Sequence, residues 1–210
     1  MTRLEKDIES LLETFPKLKL VHIKENRWLK GEIDICDVKG IYWDTFTVAI
    51  LIPANYPYGV PVLYEPDGKI ERGDERHVNK QGVCCVDMDH ELAYQASKGI
   101  SLEWFIRQKV YPFFANQLHY EREGSYTQGE YKHEFDGVRQ FYSERLNIND
   151  DELAIHFLDR LLNNSLPERN DQCPCNSGEK YKNCHEVSLK YLKHVERGRL
   201  LSDLKGFKAL

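Results

Sequence analysis

The sequence predicts an α+β protein: an N-terminal helix, a four-stranded antiparallel meander, C-terminal helices, and a small cysteine-rich module at the end. Three observations carry this prediction. Leu4, Ile8, Leu11, Leu12 and Phe15 recur at helical spacing ahead of Pro16. Phe46, Val48, Ile50 and Ile52 alternate as one face of a strand must. Cys173, Cys175, Cys184 and His185 crowd into a short polar stretch.

The elements follow in order. An amphipathic helix spans residues 2–15, and Pro16 ends it. From Lys17 to Asp37, Leu18 and Leu20 and then Ile33 and Ile35 alternate with polar neighbours, which predicts two strands. The third strand runs through Phe46 to Ile52 and stops at Pro53. An ordered turn, Tyr56-Pro57-Tyr58-Gly59-Val60-Pro61, enters a fourth strand through Val62 and Tyr64. No period holds from Asp67 to Ala96, a stretch long enough and rich enough in special residues to carry function.

Helical spacing returns after Ser101, a capping residue, with Leu102, Phe105, Ile106, Val110, Phe113 and Phe114, and Pro112 is expected to kink or divide that helix. Further helices are predicted over 138–146 and 151–163. The second has a capping-box-like start at Asn149 to Glu152, and its expected buried face is Leu153, Phe157, Leu158, Leu161 and Leu162. Leu166-Pro167 reads as a linker, and a last basic helix is predicted over 186–204.

With 210 residues, 41% of them hydrophobic and 30% charged, the chain can bury a core and is not a disordered segment. No apolar run approaches the roughly 20 residues that cross a bilayer, and the first residues lack a signal-peptide apolar region, so no membrane association and a cytoplasmic location are expected. Residues 169–210 hold nine Lys and Arg against five Asp and Glu, whereas residues 1–168 hold 20 against 29. The main body is therefore not built to track phosphates, and nucleic acid is not an expected partner.

Six cysteines in such a chain point to metal or thiol chemistry sooner than to disulfides. Cys36 stands alone and is expected to be a small buried hydrophobe. Cys173, Cys175, Cys184 and His185 supply three thiols and an imidazole, a full tetrahedral shell for zinc, with Gly178 free to shape the tight turn between them. No position is left for water or substrate, so the metal is structural and organises a tail too small to fold unaided. Residues 169–185 resemble the SEC-C zinc motif, with Asn176 and Glu179 in place of the usual glycine and basic residue. That resemblance implies a binding appendage for a protein partner.

The aperiodic stretch contains His77-Val78-Asn79-Lys80-Gln81-Gly82-Val83-Cys84-Cys85-Val86-Asp87. A thiol after a glycine turn, with a histidine and an amide upstream, is a candidate nucleophile; two buried cysteines among valines is the alternative. A helix, four strands, a Tyr-Pro turn, a histidine and asparagine, then Cys85 and Asp87 before another helix: this order resembles the ubiquitin-conjugating (UBC) fold over residues 1–118. His77-Val78-Asn79 matches that family's His-Pro-Asn motif, with Val78 replacing proline and a shorter interval to the thiol.

The resemblance implies a carrier thiol at Cys85 that accepts an acyl thioester and passes it to a lysine or thiol acceptor. Asn79 would donate to the loop or to the oxyanion, or else form a turn; Asp87 would orient the incoming amine and accept its proton, or else be a solvated acid; and His77 would be a structural loop donor. Cys84 is expected to be buried, the alternatives being a labile vicinal disulfide or a second thiol that intercepts the acyl group. Gly129 to Gly137 resembles bacterial members that join a UBC-like domain to a SEC-C tail, and His133 within it is either a core group or a second-site residue. Such proteins occur beside cyclic-oligonucleotide synthases in antiphage systems of the CBASS type. The implied partners are thus a protein donating its C-terminal carboxyl group, which could be such a synthase, and a separate activating enzyme.

The expected organisation is a UBC-like catalytic domain over 1–118, a helical extension over 119–166 and a zinc module over 167–210. Two other functions fit the same residues: a UBC-like binding scaffold without chemistry, and a thiol-redox or cysteine-hydrolase protein using Cys84 and Cys85.

Overall fold

A computed structural model describes residues 2–127, 132 and 134–209. His133, together with Gly129 to Tyr131 of the segment compared above, lies outside the described residues. The chain forms two compact units, Met1–Gly129 and Glu130–Leu210, so the boundary falls inside the segment 119–166. No helix among the described residues is long and apolar enough to cross a membrane.

The first unit is α+β. Helix α1, Arg3–Thr14, opens with a capping box in which the Thr2 hydroxyl accepts from the Glu5 N–H and the Glu5 carboxylate accepts from the Thr2 N–H. It buries Ile8 and Leu11. Strands β1 (Leu18–Ile23), β2 (Asn26–Cys36), β3 (Tyr42–Ile52) and β4 (Val62–Tyr64) form one antiparallel sheet in the order β1-β2-β3-β4. Alternation sends Leu29, Ile33 and Ile35 of β2 and Phe46, Val48, Ile50 and Ile52 of β3 to the buried face.

The ladder slips between Ile35 and Cys36. There the Tyr111 hydroxyl accepts from the Cys36 N–H at 2.6 Å and donates to the Cys36 carbonyl at 2.8 Å. A side chain thus satisfies backbone groups that the irregular ladder leaves over. Cys36 itself is half-buried, not the core hydrophobe the sequence suggests, because its place at the end of β2 is defined by these backbone bonds.

Further helical pieces complete the unit. Helix α2, Asp89–Ser97, lies in the stretch where no period holds, because its buried side chains, His90, Leu92 and Ala96, include just one large apolar residue. Ser101 caps α3 (Leu102–Phe105) by accepting from the Trp104 N–H at 3.1 Å. A π-helical segment, Ile106–Val110, continues directly into α4, Tyr111–Glu123, with Pro112 in its first turn. The irregularity is therefore the π segment just ahead of Pro112, where a proline N–H would have been needed. Phe114 stacks on Phe46 with ring centroids 4.3 Å apart, seating α4 on the sheet.

The second unit is helical. It comprises α5 (Glu134–Leu146), α6 (Asp151–Leu162), α7 (Glu186–Leu192) and α8 (Arg197–Lys208). Asp150 caps α6 by accepting from the Leu153 N–H at 2.8 Å. The buried face of α6 is Ala154, Phe157, Leu158, Leu161 and Leu162, with Leu153 half-buried instead of core. The single helix predicted over 186–204 is two, broken between Lys193 and Glu196. The break buries Val195 and redirects the chain, so that Phe207 packs edge-on against Tyr142 and Phe135 at 5.0 and 4.9 Å.

Candidate functional site

Two groups of reactive side chains stand out, one in each unit. In the first, the chain leaves β4 at Tyr64 and crosses residues 65–88 before α2. Glu65 organises its start. Its carboxylate is fully buried and accepts from the N–H groups of Asp67 and Gly68 at 3.0 Å and Lys69 at 3.3 Å. Arg72 completes the arrangement, with one guanidinium nitrogen 2.7 Å from the carboxylate and the other 2.6 Å from the Glu65 carbonyl. A buried charge is tolerated when it is paired and hydrogen-bonded in this way.

A short helical turn at Asp74–Arg76 follows and is anchored by Gln117 of α4, which is also fully buried. Gln117 accepts from Arg76 Nε at 2.8 Å and donates to the Arg76 carbonyl at 3.0 Å. His77 then takes a left-handed conformation, φ 52°, with its ring centroid 5.8 Å from that of Tyr126.

From His77 the chain doubles back. The N–H of Cys85 donates to the His77 carbonyl at 2.8 Å, and the N–H of Cys84 donates to the Leu63 carbonyl of β4 at 2.9 Å. Val78 is buried, and its N–H donates to the Gly73 carbonyl at 3.3 Å, a bond that proline could not make. Asn79 closes the intervening turn: its Oδ1 accepts from the N–H groups of Gln81 and Val83, both at 2.9 Å. Gly82 has φ 82°, and a Cβ there would lie 2.6 Å from the Glu65 carbonyl oxygen, so any side chain would strain the turn and force backbone to shift.

This backbone separates the two adjacent cysteines. Cys84 is buried and aims its Sγ at the Gly82 carbonyl, 3.7 Å away; burial, reinforced by the negative charge of Glu65, pushes its thiol up to about 12. Cys85 is exposed, with its Sγ 3.7 Å from the Asp87 carbonyl. None of the six cysteines, all among the described residues, is in a disulfide.

Asp87 is half-buried and is not the solvated acid that its sequence position allows. Its Oδ1 accepts from the Met88 N–H at 2.7 Å and its Oδ2 is ion-paired with Lys109 of the π segment. The Lys109 ammonium also lies 5.5 Å from the centroid of the Trp104 ring. His77, Asn79, Cys84, Cys85 and Asp87 therefore belong to one loop, held together mainly through backbone. Lys109, Glu65, Arg72 and Gln117 are the members that sequence reasoning missed. Only their burial and their distant partners identify them.

In the second unit, donor atoms of Cys173, Cys175, Cys184 and His185 all lie within 4.8 Å of one another. The Nδ1 of His185 is 3.3 Å from the sulfur of Cys173 and 3.0 Å from that of Cys184, and the sulfurs of Cys175 and Cys184 are 3.5 Å apart. Tetrahedral ligation with metal–sulfur bonds of about 2.3 Å places donors roughly 3.8 Å apart, so the cluster fits a metal ion such as zinc. His185 Nε2 faces the Asn147 carbonyl at 3.1 Å and its ring packs 4.9 Å from Phe157, leaving Nδ1 for the ion.

The turn between the cysteines uses two left-handed residues, Asn176 at φ 61° and Gly178 at φ 79°. Asparagine enters that region more readily than other side chains, which accounts for its place where glycine is usual. Ser177 supports the cluster, its hydroxyl 3.2 Å from the Cys175 sulfur and 3.6 Å from that of Cys184. The Cys173 and Glu179 backbones pair at 2.8 Å, and a bridge between Gln172 and Lys180 completes the small hairpin.

Compared with known proteins, the chain as a whole has no match among curated proteins or solved structures. Residues 169–186, the segment that holds all four donor residues, match the SEC-C motif.

Proposed function

We propose that this protein is a ubiquitin-conjugating-like acyl carrier, in which Cys85 accepts an acyl group as a thioester and passes it to an acceptor, with a zinc-bound SEC-C tail that recruits a protein partner. The observation that carries the reading is the division of labour between the adjacent cysteines. Cys84 is spent on the core, while Cys85 stands exposed on a turn braced by the His77 carbonyl, the Asn79 carboxamide and Gly82.

Exchange between thioesters of similar energy asks for an accessible, well-placed sulfur more than for an acidified one. An ordinary thiol supplies roughly a per cent or more of thiolate at neutral pH. Attack by the Cys85 thiolate on the incoming thioester carbonyl would release the donor thiol and leave the acyl group on Sγ. The donor would be a protein with an activated C-terminal carboxyl group, delivered by a separate activating enzyme. A cyclic-oligonucleotide synthase is a candidate substrate through the family resemblance.

Zinc would be held by three thiolates and one imidazole, a closed shell that supplies folding energy and no open coordination site.

The test is to isolate the protein from its source under acidic, non-reducing conditions and map acyl adducts by mass spectrometry. A hydroxylamine-sensitive adduct on Cys85 that Cys85→Ala abolishes and Cys84→Ala retains supports the carrier. Partner complexes and phenotypes that survive Cys85→Ala intact would instead favour a binding scaffold, a reading that the turn-closing use of the Asn79 oxygen also accommodates.

A further inference from the structure

We propose that Lys109 sets the acceptor class of the Cys85 carrier: by holding the Asp87 carboxylate, it directs the acyl group to thiol acceptors and away from amines. This inference rests on the carrier reading above and adds a residue and a specificity to it.

The two acceptor classes make different demands. A thiol adds to the thioester as its thiolate, the carbon–sulfur bond to Cys85 breaks, and the thiol proton goes to solvent. An amine, with a pKa near 10.4, arrives as an ammonium ion. It must lose one proton before its lone pair can attack and a second as the amide forms, while Cys85 leaves as thiolate. A carboxylate beside the sulfur serves that route by attracting the ammonium and taking its proton.

Asp87 lies two residues beyond Cys85, with its carbonyl 3.7 Å from the Cys85 sulfur, and both of its carboxylate oxygens are engaged: Oδ1 by the Met88 N–H and Oδ2 by the Lys109 ammonium. Lys109 is 16% exposed and Asp87 24% exposed, so water screens this pair only in part. The ammonium is further held against the Trp104 ring at 5.5 Å and projects from a π-helical turn, a local departure that re-aims side chains relative to a regular helix. The net effect is that Lys109 already occupies the carboxylate oxygen an arriving ammonium would bind. The incoming amine is left without a carboxylate to attract it or take its proton, whereas an anionic thiolate needs neither, and the ammonium does not oppose the negative tetrahedral intermediate that its attack creates. Lys109 is thus a positioning residue acting through Asp87.

The experiment loads Cys85 chemically, with a short glycine-ended peptide presented as its mercaptoethanesulfonate thioester. The desalted protein is then challenged with glutathione or with free L-lysine, and loss of the adduct is followed by intact mass. Each rate is divided by the rate for the same peptide thioester free in solution. In the wild-type protein the normalised glutathione rate is expected to exceed the normalised lysine rate by about tenfold. Lys109→Met is expected to raise the lysine rate by about tenfold, Lys109→Arg, which keeps the charge, to leave it unchanged, and Asp87→Asn added to Lys109→Met to abolish the gain.

Equal normalised rates in the wild type, or an unchanged lysine rate in Lys109→Met, would overturn the proposal. Should Lys109→Met fail to fold, Lys109→Gln takes its place: a rise in the lysine rate supports the proposal, and an unchanged rate overturns it. Failure of the wild-type protein to load at Cys85, under conditions that load a free cysteine peptide, strikes the carrier reading itself and removes the inference with it.

Discussion

The Nε2 of His185 faces the carbonyl oxygen of Asn147 at 3.1 Å, while the Nδ1 of the same ring points into the cluster of Cys173, Cys175 and Cys184. Asn147 takes a left-handed conformation, φ 55°, at the end of α5, so the turn between α5 and α6 presents an acceptor that favours the His185 tautomer with its proton on Nε2. The donor cluster and the α5–α6 turn are thereby one structural unit. Chelation is expected to raise hydrogen exchange both in 169–186 and in the turn around Asn147. His185→Ala is expected to lower the zinc content, read by elemental analysis, and to reproduce the exchange change without chelator. Protection at Asn147 that ignores the metal would contradict the coupling.

Two glycines with similar backbone angles make different predictions. Gly82 (φ 82°) would place a Cβ 2.6 Å from the Glu65 carbonyl oxygen, whereas Gly68 (φ 74°) would place one in open space. Gly68→Ala is expected to cost about 1 kcal/mol, the backbone penalty alone, and Gly82→Ala about 2–4 kcal/mol because backbone must also shift. Urea unfolding of the two variants reads the difference. A Gly82→Ala variant no less stable than Gly68→Ala would place the turn on weaker constraints than these.

Burial holds the Cys84 thiol neutral up to about 12, against an ordinary value near 9. A folded value above the unfolded one means the stability it brings is fully present below pH 9 and is lost as the pH climbs from 9 towards 12. Cys84→Ala is expected to flatten that part of the stability profile. For the same reason iodoacetamide at pH 8 is expected to label exposed Cys85 within minutes and Cys84 only on unfolding. Equal labelling of the two in the folded protein would contradict the assignment.

What the sequence disclosed depended on whether the signal was local. Helix α1, the face of β3 and the Ser101 cap are written within a few residues of themselves, and so is the SEC-C cluster, whose four donor residues fall inside 13 positions. Helix α2 was hidden because Leu92 is the one large apolar side chain it buries. The break after Leu192 was hidden because a helical period continues across it while Val195 turns inward. Long-range partners leave no local trace: Lys109 reaches Asp87 across 22 positions, Gln117 reaches Arg76 across 41 and His185 reaches Asn147 across 38. Asn79 and Cys85 were legible as candidates, but the use of the Asn79 oxygen to close a turn was visible only in three dimensions.

Glu65 offers the sharpest test of what braces the Cys85 loop. Its carboxylate is fully buried, accepts three backbone N–H bonds and pairs with Arg72, while the Glu65 N–H donates to the Gly82 carbonyl at 2.8 Å, three residues before Cys85. Truncating one member of a buried, hydrogen-bonded ion pair strands the other and typically costs about 3–5 kcal/mol. Glu65→Ala is therefore expected to lose about that much in urea unfolding. Arg107→Ala, which breaks the exposed pair with Glu103, is expected to lose less than about 0.5 kcal/mol. The lesion should also spread along the chain: with residues 67–69 unanchored, the Gly82 contact loosens and protease sites open between 65 and 84 before the sheet unfolds. Limited proteolysis of folded Glu65→Ala, followed by mass mapping, reads this directly. Cleavage that first appears outside that segment would mean that the loop is held by the β4 pairing of Cys84 and not by the buried carboxylate.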